Sequence, residues 1–284
     1  MSKTQFQPRY HWKRRTTQLC IFLLIILIPT FGLFRIDLAT ASFYFRDIQV
    51  KWTNVTFLMG LVIVIITAPL LTYKVIGSAF CGWACPQNVF SEFADWLTHK
   101  LLGKRADVSL RGPGMIVAAS KNKVISWIIL GLSFLAASAI LAFFFLMYFY
   151  KSSDMWALWA FVTGESIRQP SLIVMYWITT FFIFIDIAAV RYLYCDYPCP
   201  YRVWLRLFSD KNALHISYDA SRSSTCEKCN YCATSCITNI QPTNIRITDT
   251  CVDCGECIDA CDKLQAKTGK KGLLSFKFSE SEEA

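Results

Sequence analysis

The chain has 284 residues, of which 54% are hydrophobic and only 17% are charged. Soluble domains carry about 25% charged residues on average, so this composition excludes a disordered chain and disfavours a purely soluble globule. Lys and Arg outnumber Asp and Glu by 29 to 20, which leaves a net charge of +9. The thirteen cysteines are odd in number, and they are too sparse for a small secreted disulfide scaffold.

Four apolar segments are long enough to cross a bilayer, which takes about 20 residues of helix. They lie at about 16–34, 52–73, 124–150 and 170–190, and only the last contains an acidic residue, Asp186. The sequence therefore predicts a membrane anchor of four transmembrane helices within residues 1–210. Residues 211–284 are predicted to form a smaller second domain and a tail.

The distribution of basic residues predicts the orientation of these spans. The N-terminal tail carries five Lys and Arg, the 74–123 connection carries seven, and the chain after the fourth span carries twelve. The two other connections carry three and two, and basic residues are enriched on the cytoplasmic side. We therefore predict a multi-pass protein of the bacterial inner membrane, with both termini and the second domain in the cytoplasm.

Two segments of the anchor match each other at an offset of 114 residues. They read AFCGWACPQNVFSEF from Ala79 and LYCDYPCPYRVWLRL from Leu193, and each follows a pair of predicted spans. Each unit is thus a helical hairpin, a C-x3-C-P motif and a helix that the proline begins. Because both hairpins start and end in the cytoplasm, they are parallel repeats related by an axis along the membrane normal. That axis predicts one metal site formed by Cys81, Cys85, Cys195 and Cys199.

The chemistry of this four-cysteine site has several candidates. A third iron–sulfur cluster, a Cu(I) site and a redox-active thiol pair all use cytoplasmic thiolates. The alternative is that the cysteines only pack, but their recurrence with the same aromatic and proline neighbours argues against that. No catalytic residue is assigned.

Eight further cysteines form two runs of equal spacing. CEKCNYCATSC starts at Cys226, and CVDCGECIDAC starts 25 residues later at Cys251. This C-x2-C-x2-C-x3-C spacing is that of bacterial two-cluster ferredoxins, in which the fourth cysteine of each run ligates the other cluster. Cluster I is therefore assigned to Cys226, Cys229, Cys232 and Cys261, and cluster II to Cys251, Cys254, Cys257 and Cys236.

Other cofactors have weaker support in the sequence. Zinc sites use separated C-x2-C pairs, and disulfides need an oxidising compartment, so two [4Fe–4S] clusters are favoured. The three histidines lie outside the spans, and neither a haem-attachment motif nor a nucleotide-binding fingerprint occurs. The positive charge follows the membrane orientation, so no nucleic-acid partner is implied. The predicted fold is an all-α anchor of two parallel hairpin repeats with a small α+β two-cluster ferredoxin domain.

The second cysteine run is rich in acid. Five carboxylates lie between residues 248 and 262, where there is no Lys or Arg. Added electrons make a cluster more negative, so neighbouring carboxylates oppose its reduction. From these charges we expect cluster II to be harder to reduce than cluster I.

The chain resembles the membrane polyferredoxins, in particular the cytochrome c oxidase accessory protein family (CcoG, FixG or RdxA). The resemblance rests on LFRIDLAT after the first span, AFCGWACPQNVFSE, HISYDASR, and CIDACDKLQAKTGKKGLLSF at the second run. It implies an accessory factor of cbb-type oxidase biogenesis that reduces Cu(II) to Cu(I), with an oxidase or copper-handling proteins as partners.

Members of that family normally continue into a further span and an extracytoplasmic immunoglobulin-like domain. This sequence ends at Ala284, so its layout is also similar to the NapH and NosR group, which draws electrons from membrane quinol. The sequence thus predicts an iron–sulfur electron-transfer protein in contact with lipid. Three functions remain open for this protein. It is a copper-reducing accessory factor, a quinol-dehydrogenase subunit, or a non-catalytic assembly scaffold with structural clusters.

Overall fold

The computed structural model describes residues 8–46, 48–103, 117–118, 121–160, 170–207, 213–226, 228–245 and 249–278. In chain order the elements are α1 (His11–Thr30), β1 (Arg35–Asp37), β2 (Ser42–Phe45), β3 (Ile48–Lys51), α2 (Val55–Ile76), α3 (Ala79–Trp83), α4 (Pro86–Leu102), α5 (Val124–Leu146), α6 (Ser152–Ala160), α7 (Pro170–Ile185), α8 (Tyr192–Asp196), α9 (Pro200–Leu207), β4 (His215–Tyr218), α10 (Tyr231–Thr234), α11 (Glu256–Gln265) and β5 (Leu274–Lys277). A π-helical turn, Asp186–Val190, extends α7, and two 3-10 turns span Ala220–Thr225 and Ala266–Thr268.

Within the described residues, three helical segments are long and apolar enough to cross a membrane. They are α2, α5 and Ser171–Val190, which correspond to the predicted spans at 52–73, 124–150 and 170–190. Helix α1 has three basic residues, Lys13–Arg15, among its first five residues. It is not one of the three segments, so the predicted span at 16–34 stays a prediction.

The contacts divide the chain into two compact units, each assembled from segments that are distant in sequence. Unit 1 comprises Met1–Ile21, Val64–Asn88 and Tyr194–Ala284, and unit 2 comprises Phe22–Ile63 and Val89–Leu193. Both C-x3-C-P segments and both ferredoxin runs belong to unit 1. The predicted domain boundary at residue 210 lies outside the described residues.

Unit 2 is built on the packing of α5 along α7. Leu130 and Phe134 of α5 are buried against Ile187, together with Ala94 and Leu102 of α4. Residues 35–51 add a three-stranded antiparallel sheet in the order β1-β2-β3, in which Phe43 pairs with Ile36 and Val50. The sequence does not predict this sheet, because strands of three or four residues leave too short an alternation of polar and apolar residues to recognise.

Unit 2 also contains an ion pair between a buried arginine and a partly exposed aspartate at the end of the π-helical turn. Arg191, which is 2% exposed, donates to Asp95 at 2.5 Å and to the Thr98 hydroxyl at 2.9 Å. Its Nε donates to the Ile187 carbonyl at 3.0 Å. The pair ties the chain just after the fourth apolar segment to helix α4.

Unit 1 contains a small α+β arrangement around the ferredoxin runs. Strands β4 and β5 pair antiparallel, and their inward side chains Ile216 and Leu274 are buried with Ile258 and Cys257 of α11. Helix α10 packs on α11. The α+β character predicted for the ferredoxin part is present in this unit.

The two C-x3-C-P segments adopt similar local structures. In each, a five-residue helix, α3 or α8, is followed by a longer helix that begins at the proline, α4 at Pro86 and α9 at Pro200. The amide of Cys85 donates to the Phe80 carbonyl at 3.1 Å. The amide of Cys199 donates to the equivalent Tyr194 carbonyl at 3.0 Å. The predicted helix starts after the second cysteine of each motif are confirmed.

Candidate iron–sulfur sites

Four of the ferredoxin cysteines line a single cavity of about 400 Å³ in unit 1. These are the cysteines that the sequence assigns to cluster I: Cys226, Cys229, Cys232 and Cys261. Three come from the first run and one from α11, so the crossing of the fourth cysteine brings a complete set of thiols to one space. Four thiolates around one cavity are the ligand set that a [4Fe–4S] cluster requires, so these residues fit that cofactor.

The cysteines assigned to cluster II are more deeply placed. Cys254 and Cys257 are buried, and Cys251 is partly buried. Burial raises the pKa of Cys254 to about 12, with Cys236 adding to the effect and Arg14 opposing it. Cys236, from the first run, is therefore within electrostatic range of Cys254 in the second run. Thiolates are the ligands of a cluster, so its binding has to displace these protons.

The two ferredoxin runs share an unusual backbone. Lys228 and Asp253 precede the second cysteine of their runs, with φ of 49° and 47°. Asn230 and Gly255 follow that cysteine, with φ of 54° and 81°, and each begins a helix. Positive φ is uncommon in residues other than glycine and concentrates at functional sites. The same turn at equivalent positions supports a duplicated ligand loop. Of the four residues, only Gly255 is of a type that favours positive φ, so the sequence does not predict this turn in the first run.

The C-x3-C-P cysteines also lie near one another in unit 1. Burial is the main cause that raises the pKa of Cys81, and the charges of Cys85, Cys195 and Cys199 raise it further. Burial likewise raises the pKa of Cys85. Cys81 is thus within electrostatic range of the other three cysteines that the sequence predicted as one site. We call these four residues the four-cysteine site. In the described part of the chain, no three His, Cys, Asp or Glu side chains are grouped closely enough to hold a single metal ion.

The first C-x3-C-P segment packs directly on the second ferredoxin run. A Cβ added to Gly82 would lie 2.3 Å from the Val252 carbonyl and 3.2 Å from the Cα of Cys254. The indole of Trp83 donates to the Asp253 carbonyl at 3.0 Å. Ser78, at the start of α3, donates from its hydroxyl to the Cys251 carbonyl at 2.9 Å. The sequence gave no indication of this contact.

The buried carboxylate of Asp253 belongs to the same contact. It accepts hydrogen bonds from the Ser78 amide at 3.2 Å and the Ser78 hydroxyl at 2.5 Å. Burial raises the pKa of Asp253, and the bonds from Ser78 oppose that rise.

Two other acidic residues of the second run, Glu256 and Asp259, contact the start of α1. The carboxylate of Asp259 accepts the backbone N–H groups of Arg9, Tyr10 and His11, each at 2.9 Å. Asp259 therefore caps α1, although it lies about 250 residues away in sequence. Glu256 pairs with Arg14 at 3.1 Å, and the Arg14 side chain is 1% exposed.

These observations support a membrane-associated iron–sulfur electron-transfer protein. A family model described as a 4Fe-4S binding domain matches residues 56–105, which include Cys81 and Cys85. Nitrogen fixation protein FixG of Rhizobium meliloti is 25% identical over 85% of this chain and 48% of FixG. Protein RdxA of Cereibacter sphaeroides is 24% identical over 85% of this chain and 52% of RdxA.

Ferredoxin-type protein NapH of Haemophilus influenzae is 24% identical over 67% of the chain and 62% of NapH. The chain spans about half the length of FixG and RdxA. No solved structure matches the chain. The comparisons support a membrane polyferredoxin of the FixG, RdxA and NapH type, which confirms the resemblance seen in the sequence.

Proposed function

We propose that this protein carries electrons between two ferredoxin clusters and a third iron–sulfur cluster at the four-cysteine site. The main support is the contact between the first C-x3-C-P segment and the second ferredoxin run, where Gly82 lies against Val252 and Cys254. If the two segments had only a packing role, their backbones would not need to approach each other so closely beside the cysteines of both motifs. The 4Fe-4S match at residues 56–105 favours an iron–sulfur cluster over copper at this site.

When bound, a [4Fe–4S] cluster accepts and releases one electron at a time without moving a proton. The chain supplies the cysteine ligands, and the buried surroundings of Cys254 and Cys257 exclude water from cluster II. Cys229 is exposed, so the proposed cluster I is open to solvent on one side. The three centres would lie at the cytoplasmic face of a bacterial inner membrane, with four spans anchoring them.

The terminal reaction that we favour is that of an oxidase accessory factor, in which one electron from the chain reduces Cu(II) to Cu(I). The sequence resemblance to the FixG and RdxA family implies this reaction, and FixG and RdxA each match 85% of the chain. The second candidate is a quinol-dehydrogenase subunit, which would receive two electrons from each quinol and release two protons. It is favoured by NapH, of which the chain covers 62%.

The joint four-cysteine site can be tested in the purified, detergent-solubilised protein. Cys81→Ser and Cys199→Ser should each abolish the same electron paramagnetic resonance signal and the same share of bound iron. Cys20→Ser is the matched control, because Cys20 lies in α1 outside both motifs, and it should leave the signals unchanged. Independent and additive losses from the two substitutions would contradict a shared site.

The terminal reaction requires a test in cells. Deletion of the protein should lower the copper content of the oxidase in the accessory-factor interpretation. In the NapH-like interpretation, deletion should abolish the quinol-dependent reduction of the partner that accepts electrons from the clusters. If variants without clusters restore both properties, the protein is a scaffold.

A further inference from the structure

A buried arginine, Arg202, lies where the four-cysteine site meets the second ferredoxin run. It follows Cys199 by three residues on α9, and it is 8% exposed. Its guanidinium donates to the Cys251 carbonyl at 3.1 Å and to the Asp249 carbonyl. The Cys251 carbonyl also accepts the Ser78 hydroxyl. One carbonyl of a cluster II ligand is thus held from both C-x3-C-P segments, by Ser78 from the first and Arg202 from the second.

The charge of Arg202 reaches the four-cysteine site as well. Arg202 lies one helical turn after Cys199 on α9, where the amide of Val203 donates to the Cys199 carbonyl at 3.1 Å. A positive charge stabilises the more negative, reduced state of a cluster, and the stabilisation is greater where water is excluded. A single buried guanidinium beside two clusters therefore favours the reduction of both.

The cluster I cysteines have no comparable connection among the contacts described. Their cavity is lined by residues of the 218–274 region, including Lys228, Gln241 and Gln265. None of the lining residues comes from a C-x3-C-P segment. Cys229 in that cavity is exposed, whereas Cys254 and Cys257 are buried. Among the described contacts, those that join a ferredoxin run to the C-x3-C-P segments come from the second run.

We propose that electrons pass between the four-cysteine centre and cluster I only through cluster II, and that Arg202 is the positioning residue at this transfer. It holds the Cys251 loop against α9 and raises the reduction potentials of both adjoining centres. In each step one centre loses one electron and its neighbour gains it, and no bond is formed or broken. The inference rests on the proposed function, since it needs clusters at all three sites.

The test compares Arg202→Gln and Arg202→Lys with the parent protein in redox titrations followed by electron paramagnetic resonance. At a fixed potential, Arg202→Gln should lower the reduced-to-oxidised ratio of cluster II and of the four-cysteine centre at least tenfold, about 59 mV for one electron. Arg202→Lys keeps the charge and should recover most of this loss. Cluster I should not shift in either variant.

Arg222→Gln is the matched control, because the Arg222 guanidinium also donates to two carbonyls, those of Lys271 and Gly272. It should leave cluster II and the four-cysteine centre unchanged. Equal shifts in Arg202→Gln and Arg202→Lys would show that Arg202 acts only as a clamp and would overturn the proposed charge effect. A shift of cluster I, or no shift at all, would overturn the proposed order of the centres.

A second measurement keeps the order testable if Arg202→Gln does not assemble its clusters. In the fully reduced parent protein, the four-cysteine centre should broaden or split the signal of cluster II by magnetic interaction. Cys199→Ser should remove this interaction and leave the signal of cluster I unchanged, whereas an effect on cluster I alone would contradict the order. A parent protein without a third centre would instead refute the proposed function, so the two failures are distinguishable.

Discussion

Substitution of Gly82 by alanine tests the contact that joins the two kinds of cysteine motif. Gly82 lies in α3 between Cys81 and Cys85, and its position is buried. A Cβ there would stand 2.3 Å from the Val252 carbonyl oxygen, whereas real Cβ atoms stay at 3.0 Å or more. The helix and the loop must therefore separate by about 0.7 Å. Because the obstructing atom is a backbone carbonyl and not the end of a flexible side chain, the separation moves the ligand loop itself.

The free energies involved have opposite signs. Overpacking of a filled site costs about 1–3 kcal/mol. Alanine is favoured over glycine in a helix by about 1 kcal/mol, which offsets part of that cost. Gly60, in the apolar helix α2, is the matched control because nothing lies within 4 Å of its added Cβ. We expect Gly82→Ala to destabilise unit 1 by up to about 2 kcal/mol and Gly60→Ala to be neutral or slightly stabilising.

The assay is thermal denaturation of the detergent-solubilised protein, followed by the visible absorbance of the clusters. Gly82→Ala should lose cluster absorbance at a lower temperature than the parent and than Gly60→Ala. Its paramagnetic interaction between the four-cysteine centre and cluster II should also weaken. If Gly82→Ala behaves as Gly60→Ala does in both measurements, the close packing of α3 on the Val252 carbonyl is not present in the protein.

Two further predictions concern contacts described above, and a third concerns the predicted orientation of the spans. Asp259→Asn removes the charge that caps α1, so we expect a loss of about 1–2 kcal/mol in thermal unfolding and faster proteolysis near the N-terminus. Asp95→Asn removes the negative charge that pairs with the buried Arg191 and should cost up to about 3 kcal/mol, which a chemical denaturation series would measure. For the orientation, a membrane-impermeant thiol reagent added to intact cells should label Thr40→Cys above the background of the parent's native cysteines. It should not label Ser221→Cys, and the opposite pattern would refute the predicted cytoplasmic location of the ferredoxin region.

The parts of the structure that the sequence predicted are those with a local signal. Three apolar segments became helices of membrane length because hydrophobic runs that long have few alternatives. Helices α4 and α9 begin at Pro86 and Pro200 because proline suits the first turn of a helix. The spacing of the cysteines also predicted a ligand set that the structure gathers around one cavity, namely Cys226, Cys229, Cys232 and Cys261.

The parts that the sequence did not predict depend on contacts across long separations. Gly82 reads as an ordinary glycine between two cysteines, although its lack of a side chain allows the approach of Val252. Asp259 reads as one acid among several, although it caps a helix almost the whole chain away. Arg202 is one basic residue of the second C-x3-C-P segment in the sequence, although its guanidinium is buried beside Cys251. Nothing in the local pattern separates these residues from their neighbours.

The acidic second run shows what these long-range contacts change. From the sequence, its carboxylates predicted that cluster II is harder to reduce than cluster I. In the structure, Asp259 accepts three N–H groups at the positive end of α1, and Glu256 pairs with the buried Arg14. Arg202 adds a second buried guanidinium at the Cys251 carbonyl. Two of the five negative charges that were counted along the chain are therefore matched by positive charge from the N-terminal segment, and Arg202 brings a further positive charge from α9. The count of acidic residues alone no longer argues that cluster II has the lower potential.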